Sequence, residues 1–275
     1  MYTQLAHRES DRPPVTLSTL ARMRAAGEKI ACLTSYDASF AALVDAAGAE
    51  VVLVGDSLGM VIQGYDTTVP VTMDQMVYHS AAVARSLRRA FLMTDLPFMS
   101  YTSREQALTN SVRLMQEGGA RMVKLESGAS QLDIVEHLAS HDVAVCAHLG
   151  LKPQSVHKTG GFRVQGRASG AAERMLADAQ ALEAAGADVL LLECIPATLG
   201  RQITQGVHVP VIGIGAGADT DGQILVLYDI LDITSGKKPR FVRNFMAGAG
   251  DCQSAVTRYV EAVHGRAYPA PEHCF

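Results

Sequence analysis

A chain of 275 residues is long enough for two small domains or for one (β/α) barrel, whose usual size is about 250 residues. Hydrophobic residues make up 48% of it, and no Pro/Ser/Gly-rich linker or low-complexity tract interrupts it, so a single globular domain over residues 1–275 is expected. A net charge of -4 without any Lys/Arg cluster excludes nucleic acid as a partner, because a phosphate backbone demands a basic footprint.

The segment from Met1 to Pro14 is polar and lacks the pattern of a signal peptide, and no apolar run approaches the roughly 20 residues that span a bilayer. A cytoplasmic protein with no membrane partner is the expectation. Cys32, Cys146, Cys194, Cys252 and Cys274 show no CxxC pairing, which fits a reducing compartment and not a zinc site.

In chain order, an amphipathic segment from Thr16 to Ala26 leads into strand Ile30 to Thr34, helix Ala38 to Ala47, strand Val51 to Val54 and helix Met73 to Arg89 behind a Thr72 cap. Strand Phe91 to Thr94, helix Arg104 to Glu117, strand Met122 to Leu125, a helix near Gln131 to Ser140 and strand Val143 to Ala147 continue the alternation. A long loop precedes helix Ala171 to Ala185, strand Val189 to Leu192, a short helix near Ala197 to Gln205, strand Val209 to Ile214, a weaker strand near Ile224 to Tyr228 and a closing helix from Ser254 to His264. Eight strands alternating with helices give the expected fold class: α/β, a single (β/α)8 TIM barrel with an N-terminal and a C-terminal helix. A doubly wound open sheet is the rival architecture. Gly213-Ile214-Gly215-Ala216-Gly217-Ala218 matches a dinucleotide fingerprint with Asp232 downstream. A fingerprint belongs to a first βα unit that opens a helix, and here it runs into Asp219-Thr220-Asp221-Gly222, so a backbone turn is the preferred reading.

Four apolar runs end in an acid: Val51 to Val54 then Asp56, Phe91 to Thr94 then Asp95, Met122 onward to Glu126, and Val189 to Leu192 then Glu193. A buried parallel strand stays apolar while helices cover both its faces, so the first ionisable residue marks its C-terminal end, where barrel enzymes build their sites. Asp56 and Asp95 each also suit a turn, but with Glu126 they supply the hard oxygen donors that Mg²⁺ takes. Lys124 shares the side of Glu126 by the two-residue period of strands, either as its ion-pair partner or, as favoured, to bind an anionic substrate. Glu193 follows the most apolar strand, whose desolvation suits a general base. Cys194 reads as packing, and His148 either as a hydrogen-bond donor to substrate or as a satisfied core histidine.

Gly55-Asp-Ser-Leu-Gly-Met60, Pro70-Val-Thr-Met73, Asp95-Leu-Pro-Phe-Met-Ser100, Val123-Lys-Leu-Glu126, His148-Leu-Gly-Leu-Lys-Pro153, Gly161-Phe-Arg-Val-Gln-Gly-Arg167, Glu193-Cys-Ile-Pro196, Gly213-Ile-Gly-Ala-Gly217 and Asp221-Gly-Gln-Ile-Leu-Val-Leu227 occur in this order. Together they closely resemble the ketopantoate hydroxymethyltransferase family over nearly the whole chain. Ser127-Gly128, where a glycine pair is usual, and Lys158-Thr159 depart from the pattern.

The resemblance implies a barrel enzyme that transfers a hydroxymethyl group from the co-substrate 5,10-methylenetetrahydrofolate to 3-methyl-2-oxobutanoate, giving 2-dehydropantoate for pantothenate synthesis. It further implies Mg²⁺ at Asp56, Asp95 and Glu126, the oxo acid at Asp56, Ser57, Asp95 and Lys124, Glu193 as proton acceptor, and a homodecamer. The alternative is a Mg²⁺-dependent carbon-carbon lyase of the isocitrate lyase and phosphoenolpyruvate mutase type, which has no folate requirement. A catalytically silent scaffold would not gather unpaired acids at strand ends, because they cost stability.

Overall fold

The computed structural model describes residues 13–168 and 170–275, so most of the polar segment from Met1 to Pro14 lies outside the described residues. The strands are Ile30–Thr34 (β1), Val51–Val54 (β2), Phe91–Asp95 (β3), Met122–Glu126 (β4), Val145–Gly150 (β5), Val189–Glu193 (β6), Val211–Ile214 (β7) and Gly222–Leu225 (β8). Each pairs in parallel with its successor and β8 pairs with β1, so the sheet closes into the (β/α)8 barrel expected from the alternation. The helices of the described residues are Leu17–Ala26 (α1), Ala38–Ala46 (α2), Leu58–Val61 (α3), Met73–Ala84 (α4), Arg104–Gln116 (α5), Leu132–Ala139 (α6), Val156–Thr159 (α7), Ala171–Ala184 (α8), Ala197–Gly206 (α9), Leu227–Ile230 (α10) and Cys252–His264 (α11). Capping boxes at Thr16 and Thr72 start α1 and α4, and the Asp37, Ser103 and Asp251 side chains accept N–H groups at the starts of α2, α5 and α11. None of the described helices is long and apolar enough to cross a membrane.

Strand alternation divides the apolar residues into two layers. Ile30, Cys32, Val51, Leu53, Phe91, Met93, Met122, Cys146, Val189, Leu191, Ile212 and Ile224 form one buried cluster inside the barrel, joined by Val15, Leu20 and Met23, through which α1 covers the N-terminal end. The intervening residues, such as Leu33, Val52, Leu92, Val123, Leu190 and Leu225, pack outward against the helices. At the seam, the Tyr259 hydroxyl of α11 reaches Cys32 O of β1 at 2.8 Å and Gln223 O of β8 at 2.9 Å.

Several boundaries differ from the sequence reading by a few residues, and three of them are set by a distant contact. The helix expected to reach Arg89 stops at Ala84, because the Asp45 carboxylate accepts the N–H groups of Arg88, Arg89 and Ala90 and holds that segment ahead of β3. The fifth strand begins at Val145 and not Val143: Asp188 accepts the Val145 N–H at 2.9 Å, and the strand then runs on to Gly150 beside β6. The eighth strand, expected near Ile224 to Tyr228, spans Gly222–Leu225. Gly222 lies so close to β1 that a Cβ there would meet Ile30 O at 2.5 Å, and the ladder ends where the Leu227 N–H donates to Thr34 Oγ1. The glycine-rich run after β7 leads to β8 without a helix, and Gly217, at φ 88, packs against Ala197; it is a backbone turn, as preferred.

Candidate active site

The inward-facing series of the strands continue past the apolar interior into charge. After Phe91 and Met93 comes Asp95; after Met122 come Lys124 and Glu126; after Cys146 comes His148; after Val189 and Leu191 comes Glu193. Parity alone therefore aims five ionisable side chains at the C-terminal mouth of the barrel, and all but Glu193 are buried. Asp56 arrives separately, two residues beyond β2, and is also buried; Ser57 follows it and precedes α3.

The mouth is tightly connected. Asp95 Oδ2 accepts the Asp56 N–H at 3.0 Å, while Lys124 Nζ lies 2.8 Å from Asp95 Oδ1. The ion pair considered between Lys124 and Glu126 is thus replaced by one with Asp95. In the ladder Asp95 stands directly opposite Lys124, whereas residues two apart on one strand are separated along it. The Ser57 hydroxyl is 2.8 Å from the buried Tyr36 hydroxyl. Glu126 stands opposite His148, and His148 Nε2 lies 3.3 Å from Glu193 Oε2 without hydrogen-bond geometry. Gly150, at φ 99, brings the end of β5 against Glu193: a Cβ would meet Glu193 O at 2.2 Å, and the Leu151 N–H donates to that oxygen at 2.8 Å.

Burial, followed by the neighbouring Asp95, pushes the Asp56 carboxyl up to about 7, and burial pushes Glu126 up to about 8. Burial works against the Lys124 ammonium, but Asp95 and Asp56 outweigh it and raise its pKa above the ordinary lysine range. Burial and then Lys124 lower His148, so its imidazole is neutral near pH 7 and meets Glu193 uncharged. Glu193, expected to be desolvated because it follows the most apolar strand, keeps 17% side-chain exposure.

Sequence reasoning missed Gln154. It is buried in the loop after β5, one residue past a quoted motif, and hydrogen-bonds to both Asp56 Oδ2 and Glu126 Oε1 at 2.8 Å. An uncharged amide in a loop carries no periodicity; the proline before it was the only local signal.

Among the described residues, no three His, Cys, Asp or Glu side chains form a ready-made metal cage. Mg²⁺ does not need one, since it binds through one or two carboxylates and keeps waters and substrate oxygens. Asp56 and Asp95 offer that donor pair beside Glu126 as hard carboxylate oxygens buried together at the mouth, so the chemistry of the donor set fits such an ion.

A closed barrel of eight parallel strands whose C-terminal ends gather acids, a lysine and a histidine defines a TIM-barrel enzyme. The profile of the ketopantoate hydroxymethyltransferase family matches residues 14–271, and the chain belongs to that family. It is 60% identical over 264 residues to the 3-methyl-2-oxobutanoate hydroxymethyltransferase of Alkalilimnicola ehrlichii, covering 96% of this chain and 95% of the relative. It is 57% identical to the enzyme of the same name from Halorhodospira halophila, covering 95% and 94%. Among solved structures, a phosphonopyruvate hydrolase (TM-score 0.59, 14% identity, 77% of this chain and 80% of that one) and a 2,3-dimethylmalate lyase of the phosphoenolpyruvate mutase/isocitrate lyase superfamily (TM-score 0.57, 17% identity, 78% and 81%) share the fold.

Proposed function

We propose that the chain transfers a hydroxymethyl group from 5,10-methylenetetrahydrofolate to 3-methyl-2-oxobutanoate through an enolate of the oxo acid, giving 2-dehydropantoate on the route to pantothenate. The observation that carries this reading is the line of contacts from Lys124 to Asp95 to Asp56 at the mouth, with the partly exposed Glu193 at the same end of the barrel beside His148. An anionic substrate needs a fixed cation, and deprotonation needs a base that the substrate can reach.

Lys124 binds the substrate carboxylate, and Ser57, steadied by Tyr36, donates to a substrate oxygen. Asp56, Asp95 and Glu126 are the residues that would hold Mg²⁺. When bound, Mg²⁺ supplies Lewis-acid stabilisation of the negative charge that grows on the keto oxygen. Glu193 removes the C3 proton, with the neutral His148 beside it. The enolate carbon then forms the new C–C bond to the one-carbon unit and water supplies its hydroxyl oxygen, while both C–N bonds of that carbon to the folate break. The two folate nitrogens take up one proton from the water and the one removed from C3, and tetrahydrofolate leaves. The five free cysteines fit a cytoplasmic setting, and family resemblance supports a homodecamer.

The test is an assay of product formation from the oxo acid with folate or chelator varied separately. Product should require both the folate and a divalent ion. Turnover that persists without folate would remove the transferase reading, and turnover that persists in chelator would remove Mg²⁺ from it.

A further inference from the structure

Gln154 hydrogen-bonds to four partners from three different strand-to-helix connections or strand ends. Its Nε2 donates to Asp56 Oδ2 at 2.8 Å and to Leu96 O at 3.0 Å, its Oε1 accepts the Tyr101 hydroxyl at 2.6 Å, and its backbone N–H donates to Glu126 Oε1 at 2.8 Å. Only 6% of the residue is exposed, and every polar atom of the amide is used.

The amide has one orientation compatible with these partners. Leu96 O is a carbonyl and can only accept, so Nε2 must face it; the second N–H of the same nitrogen then has to point at Asp56 Oδ2. Tyr101 closes the arrangement by donating to Oε1, which would oppose an amide turned the other way. Asp56 Oδ2 is therefore met by a donor that fixes the orientation of the carboxylate. At the same time the backbone of Gln154 fixes one oxygen of Glu126. Two acids from β2 and β4, with no sequence relation to each other, are thereby held by a single residue from the loop after β5.

We infer that Gln154, locked by Tyr101, is the positioning residue that presents Asp56 and Glu126 to a divalent cation. The inference rests on the proposed Mg²⁺ site and deepens it: metal affinity at the mouth depends on an uncharged residue that contacts no metal. Partners that orient metal ligands from behind are worth about 10–100-fold in affinity or activity.

The experiment is calorimetric titration of Mg²⁺ into the full-length protein, in the presence of 3-methyl-2-oxobutanoate, for the parent, Gln154→Met, Tyr101→Phe and the double variant. Methionine keeps the bulk of Gln154 and its backbone N–H to Glu126 but removes both amide donors. Gln154→Met should weaken Mg²⁺ about tenfold or more, and Tyr101→Phe should weaken it less, by freeing the amide to turn. The double variant should be no weaker than Gln154→Met, because the tyrosine acts only through the glutamine. Unchanged affinity in Gln154→Met, or losses that add in the double variant, would overturn the positioning role while leaving the metal site standing. If Gln154→Met does not fold, Tyr101→Phe decides: unchanged Mg²⁺ affinity there overturns the inference. A parent protein that takes up no Mg²⁺ overturns the site and the inference together.

Discussion

Lys124 Nζ lies 2.8 Å from one oxygen of Asp95, and the other oxygen of that carboxylate accepts the backbone N–H of Asp56 at 3.0 Å. One ammonium thus stabilises two acids, the first by direct contact and the second through its neighbour. Lys124→Met removes the cation and leaves a buried carboxylate pair uncompensated. A loss of about 3–5 kcal/mol of folding stability is expected, the range for breaking a buried pair from one side. Urea unfolding measures it. A variant as stable as the parent would mean that Asp95 and Asp56 do not depend on the ammonium.

Glu193 lies beside His148, whose Nε2 is 3.3 Å from Glu193 Oε2. Glu193→Gln preserves shape and hydrogen bonding but removes the base. The variant should still bind the oxo acid and Mg²⁺ yet fail to exchange the C3 proton of 3-methyl-2-oxobutanoate with solvent deuterium, whereas the parent exchanges it without folate. Proton NMR in deuterated buffer follows the exchange. Parent-like exchange by the variant would assign the base elsewhere.

Asp56→Asn tests the metal set. The amide retains the size of Asp56 but presents a neutral oxygen or an N–H to the mouth, so Mg²⁺ affinity measured by calorimetry should fall by tenfold or more, as expected when a charged ligand is lost from a site with only one or two direct carboxylates. Equal affinity would exclude Asp56 as a ligand.

Much of this site was legible because strand parity is rigid. Once Met122 faces inward, Lys124 and Glu126 must as well, and the same two-residue step carries Asp95, His148 and Glu193 to the mouth. What escaped the sequence depends on contacts between distant residues. Asp95 became the partner of Lys124 through ladder register, Asp45 and Asp188 set element ends 43 residues away, and Gln154 gains its place only when the loop after β5 folds back over β2 and β4. No local period encodes any of these.

Glu50 shows the same dependence away from the mouth, and its pH behaviour can be worked out. Just before β2, its carboxylate accepts the Ala31 N–H at 2.9 Å and meets Arg89 at 3.0 Å and His264 at 2.9 Å. Burial alone would raise its pKa, but His264, the Ala31 N–H and Arg89 together hold it below the ordinary 4.5. A carboxyl depressed on folding binds fewer protons in the folded state than in the unfolded one. Its contribution is therefore complete above about pH 4.5 and is lost as the pH falls through the folded value. Glu50→Gln should cost about 2–3 kcal/mol at pH 7, less than a fully buried pair because the His264 side chain is 39% exposed. The difference from the parent should shrink as the pH is lowered below 4.5 and through the depressed folded value. Urea midpoints at pH 7, 5 and 3.5 measure it; a difference that stays constant across them would show that the contacts of Glu50 do not require its charge.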